Sequence, residues 1–251
     1  MNFEAIETII NADGLRLVLV RGLPSPWGQA TKAMMEYKGL EFLAGSQMPG
    51  AENPELEAWA GENSAPVVAW NDEPPLTRWN DIMLLLERLA PERPLIPTNL
   101  EERVLCFGLA HELCGQWGFG WHRRLDMFHL AIQAGAPEEG MPAKYGYNAA
   151  DGAAAKSRVD QFLVYLTERL RLQAEAGSDY LIGDSVSAVD FYWAAFSNLL
   201  CLQPDAECPL RPEIRERFEG ASAAYSHYAD SPLIAHRDRV MQQYFKVPME
   251  L

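Results

Sequence analysis

The pattern of apolar and polar positions divides the chain into an α/β stretch followed by an all-helical one. Leu15, Leu17 and Leu19 alternate with Val18 and Val20, so both faces are largely apolar, as in an interior strand of a covered sheet. Ala30, Ala33, Met34 and Tyr37 then recur at helical spacing. Ser25 stands at the N-cap of that helix and Pro26 at its first position. Gly39 closes it as a C′ residue, with Leu40 placed against Met35 in a Schellman-type contact. A second strand follows, then a Gly/Pro/Glu-rich excursion over residues 45–57. Residues 64–70 read as a strand, 71–74 as its turn and 75–77 as a return strand. Residues 81–89 are helical, with Ile82, Leu85, Leu86 and Leu89 on one face. With residues 1–13 as a leader, the order is β-α-β, hairpin, helix: an α/β unit of modest size.

Pro91, Pro94 and Pro97 make residues 91–98 a stiff, extended connector, and everything beyond it reads helical. Residues 100–130 predict one long or kinked helix. Gly115, Gly118 and Gly120 inside it each cost about 1 kcal/mol relative to Ala, which implies a bend, a break or the close approach of another group. Residues 134–151 form a Gly/Ala/Pro-rich loop. Val159, Phe162, Leu163, Leu166 and Leu170 mark the next amphipathic helix. Ser187 as N-cap, Asp190 at N3 and Val186 facing Phe191 spell a capping box with a hydrophobic staple. Pro204, Pro209 and Pro212 break the chain again before two last helices, over residues 213–224 and 232–244.

Composition narrows the function classes. The 251 residues suit one large or two smaller domains, and a 48% hydrophobic fraction is ordinary for a globular protein. A formal charge of -14 opposes a phosphate-binding surface, so nucleic acid is not an expected partner. No run reaches the roughly 18 apolar residues of a membrane span, and MNFEAIETII has no basic n-region; a cytoplasmic location is expected. Cys106, Cys114, Cys201 and Cys208 show no CxxC spacing and read as reduced thiols. His111-Glu112 lacks a second His four residues on, because Gly115 stands there, so no metal site is expected.

The capped helix that starts at Ser25, delivered by a buried strand, is a ready-made site for an anion or thiolate. Ser25-Pro26-Trp27, Ala65-Pro66-Val67 and the residues from Gly183 to Asp190 together resemble the glutathione transferase superfamily. The first resembles the Ser-Pro-aromatic corner of the tau class and the Cys-Pro-Phe of the omega class. The second resembles the family's cis-proline signature, and the third its helical-domain capping box. The likeness covers nearly the whole chain. It implies a thioredoxin-like domain over residues 14–90, a linker over 91–98, an all-helical domain over 99–245, and a homodimer.

The resemblance also implies roles. Ser25 would stabilise the thiolate of bound glutathione, a co-substrate, for attack on a small electrophile; the absence of cysteine at Ser25 and Gly28 argues against dithiol redox chemistry. Trp27, Ala65 and Pro66 would contact glutathione, Ala65 through its backbone N–H and C=O. Where the family carries Glu-Ser for the γ-glutamyl end, this chain has Arg78 and Trp79. Arg78 only donates hydrogen bonds and favours carboxylates, which predicts weak or altered glutathione binding. Trp117, Trp121 and Arg124 are candidates for an apolar substrate pocket with a cationic rim. Each residue also has a packing role open to it: Ser25 as a plain cap, Pro66 as a rigid turn, the aromatic run as core. The corresponding alternative for the whole chain is a non-catalytic binding module on the same fold.

Overall fold

A computed structural model describes residues 1–251. Its α/β half contains α1 (Ile6–Asn11), β1 (Leu15–Val20), α2 (Pro26–Tyr37), β2 (Leu43–Gln47), α3 (Pro54–Ala60), β3 (Val67–Trp70) and α4 (Trp79–Leu89). The sheet order is β2-β1-β3, with β1 parallel to β2 and antiparallel to β3. Leu17, Val18 and Leu19 are buried, as the two-faced apolar pattern requires.

The α2 C-terminus closes as its sequence spells. Gly39 has φ +71°, its N–H bonds Glu36 O at 3.0 Å, and the Leu40 N–H bonds Met35 O at 3.0 Å. Several expectations differ from what is observed. Residues 1–13 are folded: they contain α1, and Glu4 bridges Gly45 in parallel. The excursion over residues 45–57 contains part of β2 and the start of α3. The return strand is a single bridge between Leu76 and Val68, with N–H···O distances of 2.7 and 2.9 Å.

The helical half comprises α5 (Leu100–Cys114), α6 (Phe119–Gln133), α7 (Met141–Lys144), α8 (Ala149–Glu175), α9 (Ala188–Phe196), α10 (Pro212–Ser222) and α11 (Pro232–Tyr244). The expected long helix is therefore two helices. Trp117 takes φ +65° at the break, and a Cβ on Gly118 would lie 2.6 Å from Glu112 O, so the tight turn between the two helices requires glycine there.

One apolar core runs through both halves, from Leu17 and Met34 to Phe119, Leu163, Phe191 and Trp193. The linker is tied down by Lys38, whose buried amine donates to Ala90 O at 2.9 Å and Arg93 O at 2.7 Å and pairs with Glu87 at 2.6 Å. In α9, Asp190 is fully buried. Its carboxylate accepts from Leu181 N–H at 2.9 Å and from the Ser187 N–H and hydroxyl, both at 2.8 Å, and it faces His236 Nε2 at 3.0 Å. No helix is long and apolar enough to cross a membrane.

Candidate active site

The β1–α2 corner is built by a strand that ends against a helix whose first residue is proline. Pro26 has no N–H to lose and its fixed φ suits a first turn. Gly28 allows that turn to sit close to the sheet: a Cβ there would lie 2.8 Å from Leu19 Cδ2. Ser25 occupies the N-cap position, and its carbonyl accepts from Gln29 N–H at 2.9 Å. Its hydroxyl makes no capping bond and no other hydrogen bond to the protein. The Trp27 and Gly28 N–H groups likewise find no acceptor within the chain, so the electropositive helix start carries unpaired donors.

The Ala65–Pro66 peptide bond is cis. Ala65 is half-buried, and neither its N–H nor its C=O bonds another backbone group. An edge of this kind pairs with an extended peptide-like ligand. Lys144, from the short helix α7, donates to Asn63 O just upstream of Ala65. That bond brings the connection between α6 and α8 over the α/β half.

Trp27 joins the two halves. Its indole N–H donates to Cys114 O at 2.9 Å at the end of α5, and its ring meets Phe196 edge-on at 4.6 Å. Arg124, on α6, lies over three rings: Tyr145 at 3.8 Å, Trp27 at 4.7 Å and Trp121 at 5.7 Å. The Trp121 and Tyr145 rings are 6.3 Å apart and nearly perpendicular. Burial drives the Arg124 pKa below its ordinary value, with Tyr145 acting in the opposite sense.

The remaining sequence candidates occupy different surroundings. Arg78 is exposed, and its side chain makes no hydrogen bond or ion pair. The Trp79 ring is committed to the contact between the halves, 6.1 Å from Tyr192 and 6.2 Å from His111. Trp117 is exposed at the α5–α6 break and touches Trp121 at 6.4 Å and His122 at 5.9 Å. Arg123, next to Arg124, is fully buried and structural. It pairs with Asp126 at 2.5 Å and donates to Leu199 O at 2.7 and 3.0 Å. A recess of about 510 Å³ beside Tyr37, Arg93 and Tyr244 shares no residue with this corner. Sequence reasoning missed Tyr145 and Lys144; their only signal was a basic-aromatic pair inside a segment otherwise rich in Gly, Ala and Pro.

Residues 139–236 match the family described as glutathione S-transferase, C-terminal domain. No curated protein matches the sequence. Among solved structures, the tau class glutathione S-transferase of mango is 16% identical over 94% of this chain and 94% of its own, with a TM-score of 0.63. Rice GST1, solved in complex with glutathione, is 17% identical over 95% of this chain and 93% of its own, with a TM-score of 0.62. A glutathione S-transferase from Methylobacterium radiotolerans, in complex with glutathione sulfonate, is 16% identical over 94% and 97%, with a TM-score of 0.57. At these identities the likeness defines the fold: a thioredoxin-like domain followed by an all-helical one.

Proposed function

We propose, for a chain that belongs by its fold and its helical domain to the glutathione transferase superfamily, that it joins the thiol of glutathione to a small electrophile at the Ser25 corner. The observation that carries this reading is the unpaired Ser25 hydroxyl beside the unpaired N–H groups of Trp27 and Gly28. Unpaired hydroxyl and amide donors at a helix start stabilise a thiolate and lower its pKa. Glutathione's thiol releases its proton to water, and the thiolate accepts hydrogen bonds from Ser25 Oγ–H and the helix start. It then attacks the electrophilic carbon; the C–S bond forms as the leaving group departs with its electron pair. Ser25 remains a donor throughout. The backbone of Ala65 aligns the peptide part of glutathione as an added strand, and holding both reactants in one cleft supplies proximity.

Arg78 defines the γ-glutamyl end. It cannot accept from an ammonium but donates well to a carboxylate, so glutathione is bound there through its carboxylate alone. This feature also favours the second reading, a non-catalytic module that keeps the fold and takes another ligand. The likeness further supports a cytoplasmic homodimer, which sedimentation of the purified chain tests. Calorimetry with reduced glutathione, paired with conjugation to an aryl halide, separates the two readings. Binding with turnover, and tighter binding by Arg78→Glu, is the expected result. Absence of glutathione binding in wild type and variant alike would leave the binding module.

A further inference from the structure

Arg124 differs from every other buried or half-buried cation of this protein. Arg123 has Asp126 at 2.5 Å, Lys32 has Glu36 at 2.7 Å, and Lys38 has Glu87 at 2.6 Å. Arg124 is half-buried and its side chain has neither an ion pair nor a hydrogen bond, in a chain with 35 acidic residues. Aromatic faces attract a guanidinium but leave its N–H edge unsatisfied. A desolvated cation without an acceptor is costly, and an anion that arrives with an acceptor of its own relieves the cost.

The surroundings specify that anion's shape. The rings of Trp27, Trp121 and Tyr145 surround the guanidinium, and Phe128 stacks on Tyr145 at 22° to extend the flat apolar surface. Trp27 is two residues from Ser25, so whatever sits on this box lies beside the thiolate corner. A guanidinium edge matches the two oxygens of a carboxylate in bidentate fashion.

We infer that Arg124, boxed by Trp27, Trp121 and Tyr145, selects a planar conjugated or aromatic carboxylate as the second ligand of this site. The assignment of that ligand as the electrophile rests on the transferase reading above; the box itself does not. Such a substrate places its carboxylate on Arg124 and its ring against the indoles, leaving the reactive carbon to face Ser25.

Cinnamate and cinnamamide, equal in shape and differing in charge, are suitable probes, followed by calorimetry and by quenching of tryptophan fluorescence. Wild type is expected to bind cinnamate about tenfold or more tightly than the amide, the usual advantage of a charge-assisted bond. Arg124→Gln should abolish the preference, while Arg124→Lys, which keeps the charge, should retain part of it. Equal affinities, no binding of either probe, or a preference that survives in Arg124→Gln overturns the assignment. Should Arg124→Gln fail to fold, the wild-type comparison and Arg124→Lys still decide. The titrations are repeated with and without glutathione. A cinnamate preference without glutathione binding overturns the transferase reading and keeps the anion box. Glutathione turnover without that preference overturns the box alone.

Discussion

Replacing Ser25 by alanine separates a structural cap from a catalytic donor, because the two roles predict opposite outcomes. A serine that caps its helix stabilises it, and its loss costs roughly 0.5–2 kcal/mol. Here the hydroxyl makes no capping bond, while Pro26 and the Ser25 carbonyl already set the first turn. Ser25→Ala should therefore change unfolding free energy by less than about 0.5 kcal/mol, the range of a substitution that breaks nothing. Its effect on chemistry should be large. Losing one well-placed donor to a developing or resident anion lowers rate about 100-fold, equivalent to about 2.7 kcal/mol. The pKa of bound glutathione's thiol should rise in step. Urea denaturation measures the first quantity, and kcat/KM for conjugation against pH, with thiolate absorbance, measures the second. A variant that loses about 1 kcal/mol or more of stability yet conjugates normally would refute the reasoning and make Ser25 an ordinary cap.

Asp190→Ala should cost about 3–5 kcal/mol, because it strands the buried donors of Leu181 and Ser187; Ser187→Ala should cost roughly 0.5–2 kcal/mol, with glutathione affinity intact in the folded fraction of each. Denaturant titration checks both, and lost affinity at native stability would contradict the assignment. Burial pushes the Cys106 thiol up to about 12 and Cys208 up to about 11, and raises Cys114 as well, so at about pH 8 a chromogenic disulfide reagent should find only Cys201 reactive in native protein. Two or more fast thiols would show the core to be open. Burial also pushes the Glu250 carboxyl up, but hydrogen bonds from Lys246, the Met1 ammonium and Lys32 outweigh it and hold the group at about 2, below its ordinary 4.5. A depressed carboxyl stabilises the fold above its unfolded pKa and loses that contribution as pH falls from about 4.5 through about 2. The stability gap between wild type and Glu250→Gln should close over that window, and a gap independent of pH would rule the cluster out.

Local chemistry explains how much of the fold is legible in the sequence. The β1–α2 corner, the Schellman ending at Gly39, and the Ser187–Asp190 box are each specified by residues within a few positions of one another, where proline, glycine and short polar side chains act directly on the backbone. Helix α3 carries the same local punctuation, Pro54 at its first position and Gly61 at its end, but no apolar periodicity between them. It is a short run between two turns: Asn53 takes φ +49° at its start and Gly61 takes φ +75° at its end. Leu56 is its one buried side chain, too little for a periodic pattern. The arginine box is legible only in part, through Trp121 and Arg124 three apart on α6. Trp27 comes to that pair from α2 and Tyr145 from beyond α7, and no spacing in the chain encodes their arrival.

Trp27 shows how a long-range contact bears on the corner that local sequence builds. The resemblance assigns it to glutathione, yet its N–H is spent on Cys114 O and its ring on Phe196 and Arg124. Phe196 can reach the indole only because position 120 is glycine: a Cβ there would stand 2.3 Å from Phe196 Cε1 and 3.1 Å from Leu113 O. Phe196 is fully buried, so an added methyl has nowhere to send it except toward Trp27 or into the core. Gly120→Ala should thus cost about 1–3 kcal/mol as overpacking, and the displacement should reach Trp27, two positions from Ser25. Altered tryptophan fluorescence together with reduced conjugation in the folded variant is the expected result. Destabilisation with unchanged fluorescence and unchanged turnover would mean that the helical domain supports the Ser25 corner without setting its geometry.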